Sequence, residues 1–223
     1  MAKKFSPLVI VDDKQKWAHV SIPKCACSSI RCALEKHFKL EPSEKYEMVH
    51  SRKWPRVESM KWIADLGDDW YTWAIIRNPF DRLVSVWQEK CCSTEIKPRL
   101  GPQLQRLVGQ PFDVFCKSVC AIVQEPPEAE MHLGWYIRGL DTHIAPMSHF
   151  LLYEGKCVTK VIREMNEVDS FWSGLQKRFG FPDLGHLNMS IHKPSACYYT
   201  PELRKLVEDT YHNDLRLWWN KHN

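Results

Sequence analysis

At 223 residues the chain is long enough for one α/β domain with a sizeable core, or for such a domain with a small helical subdomain. Its 44% hydrophobic content is that of a globular protein, and a net charge of +4 is too mild to mark a nucleic-acid binder, although it suits a pocket for phosphate or sulfate. No apolar run approaches the ~18–20 residues of a membrane span. Ten Trp raise the aromatic share to 12%, and most of them are expected in the core. The nine Cys include no Cys-x-x-Cys pair, so zinc-ligand spacing is missing. They read as reduced thiols of a cytoplasmic protein, because no apolar run follows Met1 to make a signal peptide. The alternative is a chain whose targeting segment has been removed.

In chain order, residues 17–22 read as a short buried strand and residues 23–29 as a loop of small and polar residues. A helix follows, with Ile30, Ala33, Leu34, His37 and Phe38 on one face and Ser28 or Ser29 as its N-cap. Residues 41–69 are polar, with a turn at Trp54-Pro55. Residues 71–77 form a second strand that ends at Asn78-Pro79, an N-cap followed by the preferred first helical residue. Phe80, Leu83, Val84 and Trp87 continue at helical spacing. Residues 97–111, rich in Pro and Gly, predict a loop, and residues 112–122 a helix. Residues 149–153 and 158–162 are the later strand candidates. A helix over 169–179 closes at Gly180. A last helix opens at Thr200-Pro201-Glu202 and buries Leu203, Leu206, Val207, Tyr211 and Trp218. Strands alternating with helices predict an α/β fold around a parallel sheet, with ligands bound beyond the carboxyl ends of the strands.

Two segments carry chemistry. The first is Ile22-Pro23-Lys24-Cys25-Ala26-Cys27-Ser28-Ser29, between a strand and a helix. A helix N-terminus offers backbone N–H groups and the positive dipole end, which together make an anion site. Lys24 adds a full charge, Ser28 and Ser29 add hydroxyls, and Ala26 leaves room for a phosphate. A Walker A loop would carry glycines and place its Lys later. A plain strand–turn–helix with a surface Lys is the competing reading. The second is Arg77-Asn78-Pro79-Phe80-Asp81-Arg82-Leu83-Val84-Ser85. A strand-end Arg and a hydroxyl two turns into the helix could clasp one phosphate. The competing reading is a capped helix. Arg82 reads as an ion-pair partner of Asp81 or Glu89.

Together and in this order, the two segments resemble the membrane-bound carbohydrate sulfotransferases and their soluble bacterial relatives, the sulfotransferase family 2 type. The segment from Asp141 to Phe150 is similar to the family's His-x-x-Pro-Gln stretch, with Met147 where Gln is usual. Leu187-Asn188, Tyr198-Tyr199-Thr200-Pro201-Glu202-Leu203 and Tyr211-x2-Asp214 are similar to its C-terminal signature. The likeness covers roughly residues 15–220.

The resemblance implies a P-loop-like three-layer domain over residues 1–223, with 1–14 as an N-terminal extension and 91–148 as an insertion shaping the acceptor site. It implies 3′-phosphoadenosine-5′-phosphosulfate as sulfuryl donor and a hydroxyl acceptor, a glycan or small molecule. The loop of Lys24, Cys25, Ala26, Cys27, Ser28 and Ser29 would bind the 5′-phosphosulfate, and Arg77 and Ser85 the 3′-phosphate. Met147 leaves donor binding untouched and bears on the acceptor. In similar enzymes the base follows the loop helix, where His50 stands; Glu47 and His143 remain open. Lys24 would stabilise the leaving oxygen. No metal is required. A small-molecule kinase would need a fuller Gly-rich loop and Mg²⁺. A non-catalytic relative would be expected to lack Lys24 or Arg77.

Overall fold

A computed structural model describes residues 8–43, 53–93, 100–125, 136–137, 139–185 and 194–219. In chain order these form β1 (Leu8–Asp12), β2 (Trp17–Ser21), α1 (Cys27–His37), β3 (Val57–Glu58), α2 (Met60–Ala64), β4 (Tyr71–Ile76) and α3 (Pro79–Val86). A π-helical turn, Trp87–Cys91, continues α3. There follow α4 (Pro102–Gln105), α5 (Phe112–Gln124), β5 (Tyr136–Ile137), β6 (Leu140–Asp141), α6 (Ser148–Leu151), β7 (Leu152–Tyr153) and β8 (Lys156–Cys157). The chain closes with β9 (Val161–Glu164), α7 (Val168–Phe179), α8 (Pro201–Thr210) and α9 (His212–Trp219). It divides into two compact units: a sheet unit of Pro7–Ile76 with Leu151–Ile191, and a helical unit of Met1–Ser6, Arg77–Phe150 and His192–Asn223.

The sheet unit holds a five-stranded sheet in the order β3-β1-β2-β4-β9, flanked by helices. β2, β4 and β9 are parallel, with Val20 opposite Ala74 and Ile75 opposite Arg163. The sheet is nevertheless mixed, not wholly parallel as the alternation of elements predicts. β1 runs antiparallel to β2, because the chain reverses between them. The Asp12 carboxylate accepts the N–H groups of Lys14 (2.9 Å) and Gln15 (3.2 Å), and Lys16 adopts a left-handed φ of 53°. This local turn brings residues 8–12, within the stretch read as an extension, into the sheet. The core is aromatic: Trp17 and Trp172 each meet Phe181, with ring centroids 5.1 and 5.0 Å apart. Among the described Trp residues, Trp17, Trp54, Trp73 and Trp172 are buried. All nine cysteines are free thiols.

Two strand expectations shift. Residues 148–151 are helical, and the strand expected over 149–153 shrinks to Leu152–Tyr153, which pairs with Lys156–Cys157. Glu154 (φ 49°) and Gly155 (φ 77°) supply the two positive φ values of a tight hairpin turn. The strand expected over 158–162 begins later, at Val161.

The helical unit packs Phe80, Leu83 and Val84 of α3, Leu104 of α4, Phe115 and Val119 of α5, and Val207 of α8 into one apolar core. α4 lies inside the stretch read as loop, with Pro102 in its first turn. α8 opens as expected, the Thr200 hydroxyl accepting from Leu203 N at 3.3 Å. The final helix breaks at Tyr211 and resumes as α9. No helix among the described residues is long and apolar enough to cross a membrane.

Candidate active site

In the sheet unit, the turn after β2 carries Lys24 to Ser29. Lys24 (φ 69°) and Ala26 (φ 57°, ψ 13°) are both left-handed, a conformation that costs a non-glycine residue roughly 1–2 kcal/mol. Such strain concentrates at functional sites. Cys25 stands between two residues of positive φ, and turns of this kind can direct backbone N–H groups toward an anion. Cys25 N closes the turn on Ile22 O at 3.3 Å. The N-cap of α1 is Ala26, not Ser28 or Ser29, because the left-handed residue starts the helix earlier. Ala26 brings no capping side chain to the first helical N–H groups. Lys24, Ala26 and Ser28 are half-buried; Cys25, Cys27 and Ser29 are buried.

Beneath this turn Arg31 on α1 is buried and donates its Nε to the Ser21 hydroxyl at 3.1 Å, tying the last residue of β2 to the helix. Burial lowers the guanidinium pKa, and the nearby Cys27 works in the opposite direction. An arginine stays charged under such a shift. The turn therefore rests on a buried cation as well as on the end of a helix dipole.

Arg77 directly follows β4, the parallel neighbour of β2 in the sheet. It is half-buried and precedes the cap of α3, where the Asn78 side chain accepts from Phe80 N at 2.9 Å and Pro79 takes the first helical position. Ser85 lies two turns further, buried on α3. Cap and proline stand where the sequence puts them. Arg82, read as an ion-pair partner of Asp81 or Glu89, reaches beyond its own helix. It is 1% exposed and donates to Ala145 O (2.9 Å) and Thr142 O (3.3 Å).

These bonds brace a loop of the helical unit. The Tyr211 hydroxyl donates to Ile144 O at 2.7 Å, and the Asp214 carboxylate accepts Met147 N (2.7 Å) and Ser148 N (2.8 Å). Gln103 accepts Asp141 N at 2.8 Å. Burial pushes the Asp214 carboxyl up, against the pull of Arg82. Met147 is fully buried, so the residue that departs from the family pattern is a core residue here. Within the loop, Asp141 Oδ1 accepts the backbone N–H of His143 (2.9 Å) and meets its Nδ1 (2.8 Å). Burial raises the Asp141 carboxyl, but His143 and Lys90 together outweigh it and hold the carboxyl below the usual carboxylate range.

The structure thus gathers Lys24, Cys25, Ala26, Cys27, Ser28 and Ser29 in one turn, and sets Arg77 and Ser85 at the head and middle of α3. His50, Glu47, Leu187 and Asn188 lie outside the described residues. Sequence reasoning met Tyr211 and Asp214 as part of a family-like signature and Arg82 as an ion-pair partner, and missed Gln103 and the bracing set that the four make. Its members are up to 132 positions apart in sequence (214 − 82), and no local pattern joins them.

The sheet unit is thus an α/β arrangement, a mixed sheet flanked by helices with a strand–turn–helix from β2 to α1. Residues 7–218 match the sequence model of the Sulfotransferase family, of the family 2 type, and the chain belongs to that family. No curated protein and no solved structure matches it.

Proposed function

We propose that the protein transfers a sulfuryl group from 3′-phosphoadenosine-5′-phosphosulfate to a hydroxyl of an acceptor, a carbohydrate, on a P-loop-like fold. The observation that carries this reading is the turn with positive φ at both Lys24 and Ala26, on the helix that opens with Cys27, Ser28 and Ser29. Its N–H groups and Lys24 suit the 5′-phosphosulfate. Arg77 and Ser85 take the 3′-phosphate. The acceptor oxygen attacks sulfur in line with the bridging oxygen. The sulfur–oxygen bond to the 5′-phosphate breaks, and its electron pair stays on the phosphate, where Lys24 offsets the growing charge. His50 accepts the hydroxyl proton. No step needs a metal.

Calorimetry tests the donor assignment. Adenosine 3′,5′-bisphosphate should bind much more tightly than adenosine 5′-monophosphate. Arg77→Ala should remove most of the difference, since a charge-assisted hydrogen bond is worth roughly 1.5–3 kcal/mol. Equal affinities for the two nucleotides in the unaltered protein would sink the assignment.

A further inference from the structure

The loop over residues 141–148 has far more bracing than its length requires. Arg82 from α3, Gln103 from α4, Tyr211 at the end of α8 and Asp214 from α9 all bond to its backbone. Asp141, Ile144, Ala145, Met147 and Ser148 are buried, whereas Thr142 and His143 are partly exposed, the His143 side chain to 17%. The loop is thus a rigid mount whose outward polar groups are Thr142 and His143. Asp141 would cap the turn through the His143 backbone N–H alone. The second bond, from the imidazole, is not needed to close the turn.

That second bond has a chemical consequence. The Asp141 carboxylate is ionised, so it accepts and His143 Nδ1 donates. A neutral imidazole with its proton fixed on Nδ1 presents a lone pair on Nε2. Lys90 contributes a positive charge close enough to favour ionised Asp141, and it lies in the π-helical turn that continues α3. Such turns occur often at functional sites. The helix that bears Ser85 also bears Arg82, which grips this loop, so donor-binding helix and His143 mount are one braced piece.

We propose that His143, held by Asp141, is an acceptor-binding residue whose Nε2 takes a hydrogen bond from an acceptor hydroxyl. The inference rests on the sulfuryl-transfer reading and deepens it: the ligand class is a hydroxyl donor presented to a fixed imidazole acceptor. His143 orients the acceptor, and Asp141 positions His143.

The test uses the full chain saturated with adenosine 3′,5′-bisphosphate and labelled with nitrogen-15 at histidine. N-acetyllactosamine, a desulfated chondroitin tetrasaccharide and 4-nitrophenol are added separately at millimolar concentration. The His143 imidazole signals should move saturably with at least one probe. In turnover of that probe, His143→Ala should raise the acceptor KM by roughly 2- to 12-fold, the scale of one neutral hydrogen bond, with bisphosphate affinity unchanged. His143→Gln, whose amide oxygen can accept the same bond, should recover most of the loss, which a packing role would not allow. Asp141→Asn should mix the two imidazole tautomers and raise the same KM. Signals unmoved by all three probes, or an unchanged KM in His143→Ala, overturn the inference. A protein that fails to prefer the bisphosphate over the monophosphate overturns instead the sulfuryl-transfer reading beneath it.

Discussion

Two residues carry the chemistry of the proposed transfer, and their variants should fail in the same kinetic parameter for different reasons. Lys24 is left-handed with φ 69°. Alanine in its place keeps a Cβ and hence the same backbone strain, so Lys24→Ala isolates the charge. That charge matters most as the leaving oxygen becomes anionic, so turnover should fall further than bisphosphate affinity. His50→Ala should also lower turnover, by roughly 10²–10⁴-fold, and leave bisphosphate affinity intact. Only His50→Ala should also flatten the acidic limb of the pH–rate profile, since an unprotonated imidazole is the working form. Single-turnover rates and calorimetry on both variants check this. A Lys24 variant that changes only KM would make Lys24 a uniform binder. A near-normal rate in His50→Ala would move the base elsewhere.

At the scale of elements, what could be read in the sequence was what neighbours in sequence decide. The cap and proline of α3 at Asn78-Pro79, the opening of α8 at Thr200-Pro201 and the glycine stop of α7 at Gly180 are all local, and all stand as expected. α6 is different. Residues 149–153 read as a strand from their apolar run, yet Ser148–Leu151 is helical. Its opening N–H groups are satisfied by the Asp214 carboxylate, 66 and 67 residues away. No pattern within residues 146–153 could announce that partner. The same holds for the loop before α6, whose carbonyls are claimed by Arg82 and Tyr211. The turn from Lys24 to Ser29 was legible as a motif because a strand–turn–helix is contiguous in sequence. The loop around His143 was legible only as a likeness to the family's His-x-x-Pro-Gln stretch, without its braces. Asp214→Ala should therefore cost about 2–6 kcal/mol, because two buried N–H groups lose their acceptor and each is worth roughly 1–3 kcal/mol when orphaned. Urea denaturation measures it. A cost below about 1 kcal/mol would mean that water replaces the carboxylate and that Asp214 does not hold α6.

At the scale of the whole molecule, stability should depend on acid through a residue far from any titrating surface. His19 sits in the middle of β2, 1% exposed, with its ring stacked 3.9 Å from that of Trp73. Burial, assisted by the Arg31 charge, lowers its pKa to about 3; the backbone of Trp73 offsets only a little of this. Neither ring nitrogen lies within full hydrogen-bond geometry of a partner. The folded protein therefore keeps His19 neutral, while the unfolded chain takes a proton at the ordinary histidine value of about 6.5. In the window between these values the unfolded state binds the extra proton, so its stability gains as pH falls. The stability that neutral His19 permits is fully present above pH 6.5 and is lost toward the folded pKa, at up to about 1.4 kcal/mol per pH unit. From pH 6.5 to 5 that amounts to about 2 kcal/mol, before most carboxylates begin to titrate. His19→Phe keeps an aromatic ring against Trp73 and removes the titration. Its stability at pH 7 will differ from the parent's through packing, but the slope below pH 6.5 is the informative quantity. Urea midpoints measured from pH 7 to 5 should fall less steeply in His19→Phe than in the parent. Parallel curves would show that His19 accepts its proton in the folded state, through an opening of the sheet core that the stacked ring and buried strand argue against.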